Sequence, residues 1–274
     1  MSRIGIIAGH GSLPVFSARA ASQRGHQVVA IDVTPEGENG LSLSDSSEVF
    51  HRIPVGRWAK VIETLHRERV TQVYLFGKVS KDVIFANGGL DERFRFVVES
   101  LPQKNDDAVV LAFIRDLERE GIGVLPQTNL IPELVPSAGC LSSRIPSESE
   151  FRDIRYGYHV AGHIAGLDIG QTVVLRNGVV LAIEAIEGTD QAILRGGALG
   201  RGRGAVVVKV SKPHQDFRFD VPTVGVATIR SMAAVGATTL AVDAGRSFMV
   251  EREEAVRLAD DADIAVWAEE VGPG

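Results

Sequence analysis

The sequence predicts a two-domain α/β protein, and three observations predict it. Short apolar runs alternate with helical patterns along most of the chain, as a sheet covered by helices requires. The length, 274 residues, suits two units of roughly 130, because single cores stop growing near ~250 residues. Residues 125–146 are rich in Pro and Ser, hold four of the eleven prolines and show little period. Within them 131–146 reads as a linker between a Rossmann-like parallel-sheet domain, 1–130, and a smaller α/β domain with a mixed sheet, 147–274.

In chain order, residues 3–8 form an apolar strand, 9–12 a Gly-His-Gly-Ser turn, and 13–24 a helix closed by Gly25. Strands at 27–31 and 48–53 follow, then a helix at 57–68 and a strand at 72–76. A helix at 107–120 has Asn105 or Asp106 available as its cap. Past the linker, a helix at 147–166 starts from Ser147 or Ser149. Strands 172–176 and 179–186 flank Asn177-Gly178, the strongest two-residue hairpin signal, so they should be antiparallel neighbours. A helix at 189–195, a strand at 205–210, a helix at 228–235, a strand at 238–242, a helix at 252–260 and a strand at 264–268 complete the second domain. The chain has no internal repeat, and its one low-complexity stretch is 195–204.

Composition narrows the function. An apolar share of 45% against 23% charged is ordinary for a globular protein, and a net charge of −6 argues against nucleic acid as a partner. The single cysteine, Cys140, makes no intrachain disulfide, and the first residues lack a signal-peptide layout, so a cytoplasmic protein is expected. No run approaches the ~20 apolar residues of a membrane span, which leaves docking on a membrane surface open.

Three motifs are discounted. Gly9-x-Gly11 with Asp32 imitates a dinucleotide fingerprint, but Pro14 occupies the place of the third glycine. The turn then serves either as a phosphate or sugar contact at a helix N-terminus or simply as a tight turn. His159 and His163 have zinc-ligand spacing without a third ligand, so a structural or solvated pair is the better reading. The glycine- and arginine-rich stretch 195–204 resembles an RNA-binding segment, yet it is short and the protein is acidic; a mobile loop fits better.

Chemistry concentrates between Glu184 and Thr223. Glu184 and Lys209 interrupt apolar strand-like runs, where a lone charge needs a partner, an ion or a polar ligand. A buried ion pair between neighbouring strands is the structural account of those two. Glu187 and Asp190 flank Gly188-Thr189 where a strand meets a helix, a suitable place for a hard cation and phosphate. Lys212, Gln215, Arg218 and Asp220 bring both charge signs into nine residues stiffened by Pro213 and Pro222. A solvated loop tolerates such charges, but the combination favours metal-assisted phosphoryl chemistry.

Several strings carry a family resemblance: Gly5-Ile-Ile-Ala-Gly-His-Gly-Ser-Leu-Pro14, Asp106-Asp107, Leu167-Asp-Ile-Gly-Gln171, Glu184-Ala-Ile-Glu-Gly-Thr-Asp190, Lys212-Pro213 with Gln215-Asp216, and Arg218-Phe-Asp-Val-Pro-Thr-Val-Gly225. From its first residues to about Ala268 the chain resembles the magnesium-dependent UDP-2,3-diacylglucosamine pyrophosphatases of lipid A biosynthesis. The resemblance implies a Rossmann-like domain and a smaller α/β domain with the lipid product held between them. It implies hydrolysis to UMP and 2,3-diacylglucosamine 1-phosphate (lipid X) by water attack on the sugar-linked phosphorus, and it places the family's essential aspartate at Asp220. One departure is Asp243-Ala-Gly-Arg246, where a glutamate is expected; the shorter carboxylate puts any metal or hydroxyl contact there in doubt.

The resulting expectations are explicit. Asp220, Glu187, Asp190 and Lys212 are the catalytic candidates. Mg2+ is held by a subset of Glu184, Glu187, Asp190 and Asp220, with Asp220 left as either ligand or general base. Gly9, Gly11, Ser12, Lys78, Thr189, Lys209, Gln215, Arg218 and Thr223 bind substrate, and Lys209, Lys212 and Arg218 neutralise charge in the displacement. Peripheral contact with the inner membrane and a symmetric homodimer complete the picture. The rival readings are a nucleotide- or sugar-nucleotide-binding oxidoreductase built on the first domain and a non-enzymatic binding protein whose charges are structural.

Overall fold

The computed structural model describes residues 2–34, 37, 40–79, 89–101, 106–202 and 204–271. The chain forms two compact units, Met1–Ile131 with Phe217–Phe219, and Pro132–Asp216 with Asp220–Gly274.

The first unit carries strands β1 (Arg3–Ala8), β2 (Gln27–Asp32), β3 (Val49–Arg52), β4 (Gln72–Phe76) and β5 (Gly123–Val124) in one parallel sheet of order β3-β2-β1-β4-β5. Their near-continuous apolar character follows from burial on both faces of a parallel sheet. Strand order reverses at β1, which places a topological switch point at the carboxyl ends of β1 and β4. Helices Leu13–Gln23, Trp58–Arg67, Glu92–Glu99 and Asp106–Arg119 cover the sheet. Val29, Ile31, Trp58, Leu65, Ile114 and Leu117 are among the core residues.

Helix Glu92–Glu99, which the sequence reading missed, starts from Asp91, whose side chain accepts from Phe94 N. Arg93 ties it to the next helix through Asp116 (2.7 Å) and Glu120 (2.6 Å). That next helix begins at Asp106, and Asn105, offered as its cap, lies outside the described residues. Phe219 packs against the first core.

The second unit holds a mixed sheet of order β6-β13-β11-β9-β7-β8, formed by β6 (Gly139–Cys140), β7 (Thr172–Arg176), β8 (Val179–Ile183), β9 (Ala205–Lys209), β11 (Ala237–Asp243) and β13 (Ala265–Glu269). Strands β9, β11 and β13 are parallel to one another, while β6, β7 and β8 run antiparallel to their neighbours. The expected hairpin is present: Asn177 and Gly178 have φ of +50° and +75°, which suits the tight turn between β7 and β8. Residues 131–146, read as a linker, contribute β6 to this sheet. Two residues each, β10 (Thr223–Val224) and β12 (Phe248–Met249) pair as a separate parallel ribbon.

Strand alternation decides which side chains meet which helices. Val206 and Val208 of β9 pack with Ala241 of β11 on helix Glu148–Gly166, whereas Ala205 and Val207 pack with Leu240 and Val242 on the other face. By the same alternation Lys209 belongs to the second face, towards helix Thr189–Leu199, and Asp243 to the first. Helix Glu148–Gly166 starts from Ser147 with a reciprocal capping box to Glu150.

Candidate active site

Open α/β sheets bind ligands at the carboxyl ends of their parallel strands, and the polar residues of the second unit gather there. Beyond Lys209 the chain leaves β9 and forms the loop 210–222. Lys212 Nζ lies 2.7 Å from Asp168 Oδ1 and 3.4 Å from Asp220 Oδ2. Gln215 organises the loop with both ends of its amide. Its Oε1 accepts from Lys212 N at 2.9 Å, and its Nε2 donates to Asp220 Oδ2 at 2.7 Å. Lys212, Gln215 and Asp220, all named from sequence, are therefore brought together. Asp168, part of a family string but not named as a site residue, follows the helix end at Leu167 with φ of +57°, and no local pattern links it to Lys212.

A second cluster surrounds Thr189. Lys209 Nζ donates to Thr189 Oγ1 at 2.8 Å and to Thr223 O at 3.0 Å, and Thr189 Oγ1 donates to Glu184 Oε1 at 2.8 Å. Lys209 lies directly across from Thr172 in the β7–β9 register, and Thr172 Oγ1 is 3.4 Å from Thr189 Oγ1. Two expectations change here. Glu184 stands just past the end of β8 instead of inside the strand, its amide donating to Thr172 O at 2.8 Å. Both charged side chains are only part-buried, and the Thr189 hydroxyl bridges them. Thr189 and Thr223, expected as substrate contacts, also serve as internal partners of Lys209.

The remaining candidates are dispersed. Arg195 engages Glu187 in an ion pair, and the guanidinium beside it holds its carboxyl below the usual range. Asp190 sits in the first turn of helix Thr189–Leu199. Arg218 belongs to the first unit, where it pairs with Glu118 at 2.9 Å. Among the described residues no three His, Cys, Asp or Glu side chains converge to hold a metal, so Glu184, Glu187, Asp190 and Asp220 do not form one cluster. His159 and His163 form an exposed ring contact with centroids 4.6 Å apart.

In the first unit the glycine turn lies at the switch point. His10 and Lys78 exchange backbone hydrogen bonds of 2.7 and 3.1 Å, joining the ends of β1 and β4. A side chain on Gly9 would place its Cβ 2.5 Å from Lys78 O, and one on Gly77 would lie 2.6 Å from His10 O, so close backbone approach requires both glycines. Gly11 follows with φ of +106°, and Ser12 precedes helix Leu13–Gln23 without a side-chain cap bond. Asp32 is fully buried, with Oδ1 accepting from Thr34 N at 2.9 Å and Thr34 Oγ1 at 2.6 Å. A carboxylate turned inward in this way does not present itself to a ribose.

Family models meet this chain along almost its whole length. One described as the LpxI N-terminal domain matches residues 3–134, and one described as the LpxI C-terminal domain matches 137–267. The chain belongs to the LpxI family. The relative "UDP-2,3-diacylglucosamine pyrophosphatase LpxI" of Caulobacter vibrioides is 33% identical over 276 residues, covering 97% of each chain. Solved structures align weakly. A single-chain long-chain acyl-CoA carboxylase has a TM-score of 0.29 at 12% identity, covering 64% of this chain and 15% of that one. The biotin carboxylase domain of a single-chain bacterial carboxylase has 0.28 at 17%, covering 64% and 36%. Likeness at that level carries no argument.

For this LpxI chain the donor set decides what kind of metal fits. Asp168 and Asp220 both approach Lys212, and both keep substantial exposure, 53% and 35% of the side chain. Mg2+ is commonly held by one or two carboxylates together with waters and substrate phosphates. The loop therefore suits an ion arriving on a diphosphate, not one caged by protein carboxylates.

Proposed function

We propose that this protein hydrolyses the diphosphate of UDP-2,3-diacylglucosamine to UMP and 2,3-diacylglucosamine 1-phosphate, with Mg2+, in lipid A biosynthesis. The observation that carries the reading is Asp220, held by Gln215 and Lys212 at the carboxyl end of β9 in a chain of the LpxI family. Water attacks the sugar-linked phosphorus. A new P–O bond forms there, the bridging P–O bond breaks, and the bridging oxygen leaves with UMP. Asp220 orients the water and takes its proton, while Lys212 and Lys209 offset the charge that develops on the phosphoryl oxygens. Asp220 or Asp168 would hold Mg2+, which would supply charge neutralisation.

The glycine turn between β1 and β4, with Gly11, Ser12 and Lys78, is the first unit's candidate for a phosphate or sugar contact. A diacylated substrate resides in a bilayer, so the reading takes the enzyme to the cytoplasmic surface of the inner membrane. No helix among the described residues is long and apolar enough to cross it. A homodimer is the default assembly; vesicle flotation and light scattering test these two points. The central test is UMP release from the purified protein. Mg2+ should support it and EDTA should abolish it. Full activity in chelator would remove the metal from the scheme, and no UMP with any divalent ion would remove the hydrolase.

A further inference from the structure

Asp243 ends β11 opposite Glu269 of β13 and is only 2% exposed. It lies on the sheet face that Ala241 and Trp267 share with helix Glu148–Gly166, beside a cluster of apolar side chains. Its Oδ2 accepts from Ser211 N at 2.7 Å, and Ser211 Oγ donates to Arg246 O at 3.2 Å. Asp243 Oδ1, the Tyr158 hydroxyl and Ser247 Oγ are buried, and Tyr158 and Arg246 both act on the Asp243 carboxylate in favour of its charged form. Burial raises the titration of both Asp243 and Tyr158. Burying a carboxylate here costs desolvation, and its geometric partner in the loop is the Ser211 amide, a buried donor that an apolar residue would leave unsatisfied. What the carboxylate does hold is the first residue beyond Val210. Lys212 N, the next donor along, bonds Gln215, whose amide bonds Asp220.

We infer that Asp243 is a positioning residue, acting through Ser211, Lys212 and Gln215 to fix the loop that presents Asp220. This rests on the hydrolase reading for its catalytic consequence, but the anchoring itself is measurable without turnover. The variants are Asp243→Ala, which removes the acceptor, and Asp243→Asn, whose amide oxygen keeps it.

Amide exchange over residues 210–216 is read first. Asp243→Ala should speed exchange at Ser211 and Lys212 by about tenfold or more, and Asp243→Asn should stay within about threefold of wild type. Per folded molecule, Asp243→Ala should lower kcat by about ten- to a hundredfold with KM within about threefold, and Asp243→Asn should recover most of it. In an Asp220→Ala background the same truncation should cost less than about threefold, since residues acting as a unit are not additive. Unchanged exchange in Asp243→Ala, unchanged kcat, or equal loss in both backgrounds overturns the inference. If wild-type protein releases no UMP, the hydrolase reading fails, and exchange alone still decides whether Asp243 holds the loop.

Discussion

Asp220 and Glu187 are both acidic residues of the second unit, but their surroundings assign them different work. Asp220 is part-exposed and held by an amide and an ammonium, which fixes its direction while leaving it open to solvent. Its replacement by Ala should lower kcat about a hundredfold or more, as loss of a general base or metal contact does. The melting temperature should move little, because its ion pair with Lys212 is part-exposed and such pairs contribute no more than about 1 kcal/mol. A destabilised variant with normal turnover per folded molecule would make Asp220 structural. Glu187 is instead turned to Arg195 and to Ala185 N (3.1 Å). Glu187→Gln should therefore leave kcat within about threefold, and a hundredfold loss would return it to the reaction. Sequence identified the loop residues because charge and proline density are local properties. It singled out Asp243 and contained Asp168 in a family string, but could not find their partners Ser211 and Lys212, which the fold brings from distant parts of the chain.

At the scale of elements, helix Glu148–Gly166 shows how a signal legible in sequence is strengthened by tertiary contacts. Ser147 and Glu150 form the expected cap, and Glu150 also binds Arg144 at 2.8 Å and Thr238 Oγ1 at 2.6 Å. Burial would raise the Glu150 carboxyl, but Arg144, Thr238 and Ser147 together pull it well below its ordinary 4.5. A depressed folded-state pKa means the stabilisation is complete above about pH 4.5 and is lost as pH falls through the lower folded value. Glu150→Gln should thus cost about 2–3 kcal/mol at pH 7, the scale of a charged hydrogen bond, and flatten the acid limb below pH 4.5. Urea titrations from pH 7 to 3 check this, and parallel acid limbs would refute it. Most strands and helices with clear period were readable to within one or two residues, β1 and β4 without error, but β8 ends three residues earlier and helix Thr189–Leu199 runs four residues further than expected. The two-residue strands β5, β6, β10 and β12 were not, since pairs so short carry no period and are defined by the partner they meet.

On the scale of the whole molecule, the alternating pattern correctly implied a parallel sheet followed by a mixed one, but not that the chain returns to the first unit at Phe217–Phe219. There Phe217 O accepts from Gln127 N at 2.8 Å, Phe219 joins the core, and Arg218 pairs with Glu118. Arg218 read from sequence as a substrate-binding residue; in the fold it also pairs with Glu118, immediately before Asp220. The pair is part-exposed, so it should contribute no more than about 1 kcal/mol to stability. Its effect on rate is a separate matter, because small misplacements of a reacting group are costly. Arg218→Glu should lower kcat by about three- to tenfold, and Glu118→Arg alone should do the same. If the arginine acts through Glu118, the double reversal restores the ion pair and recovers most of the wild-type rate. If Arg218 instead contacts the diphosphate, the double variant remains as impaired as Arg218→Glu and its KM stays raised. Steady-state kinetics on the four proteins, at low ionic strength where the pair is least screened, separates a tie from a ligand.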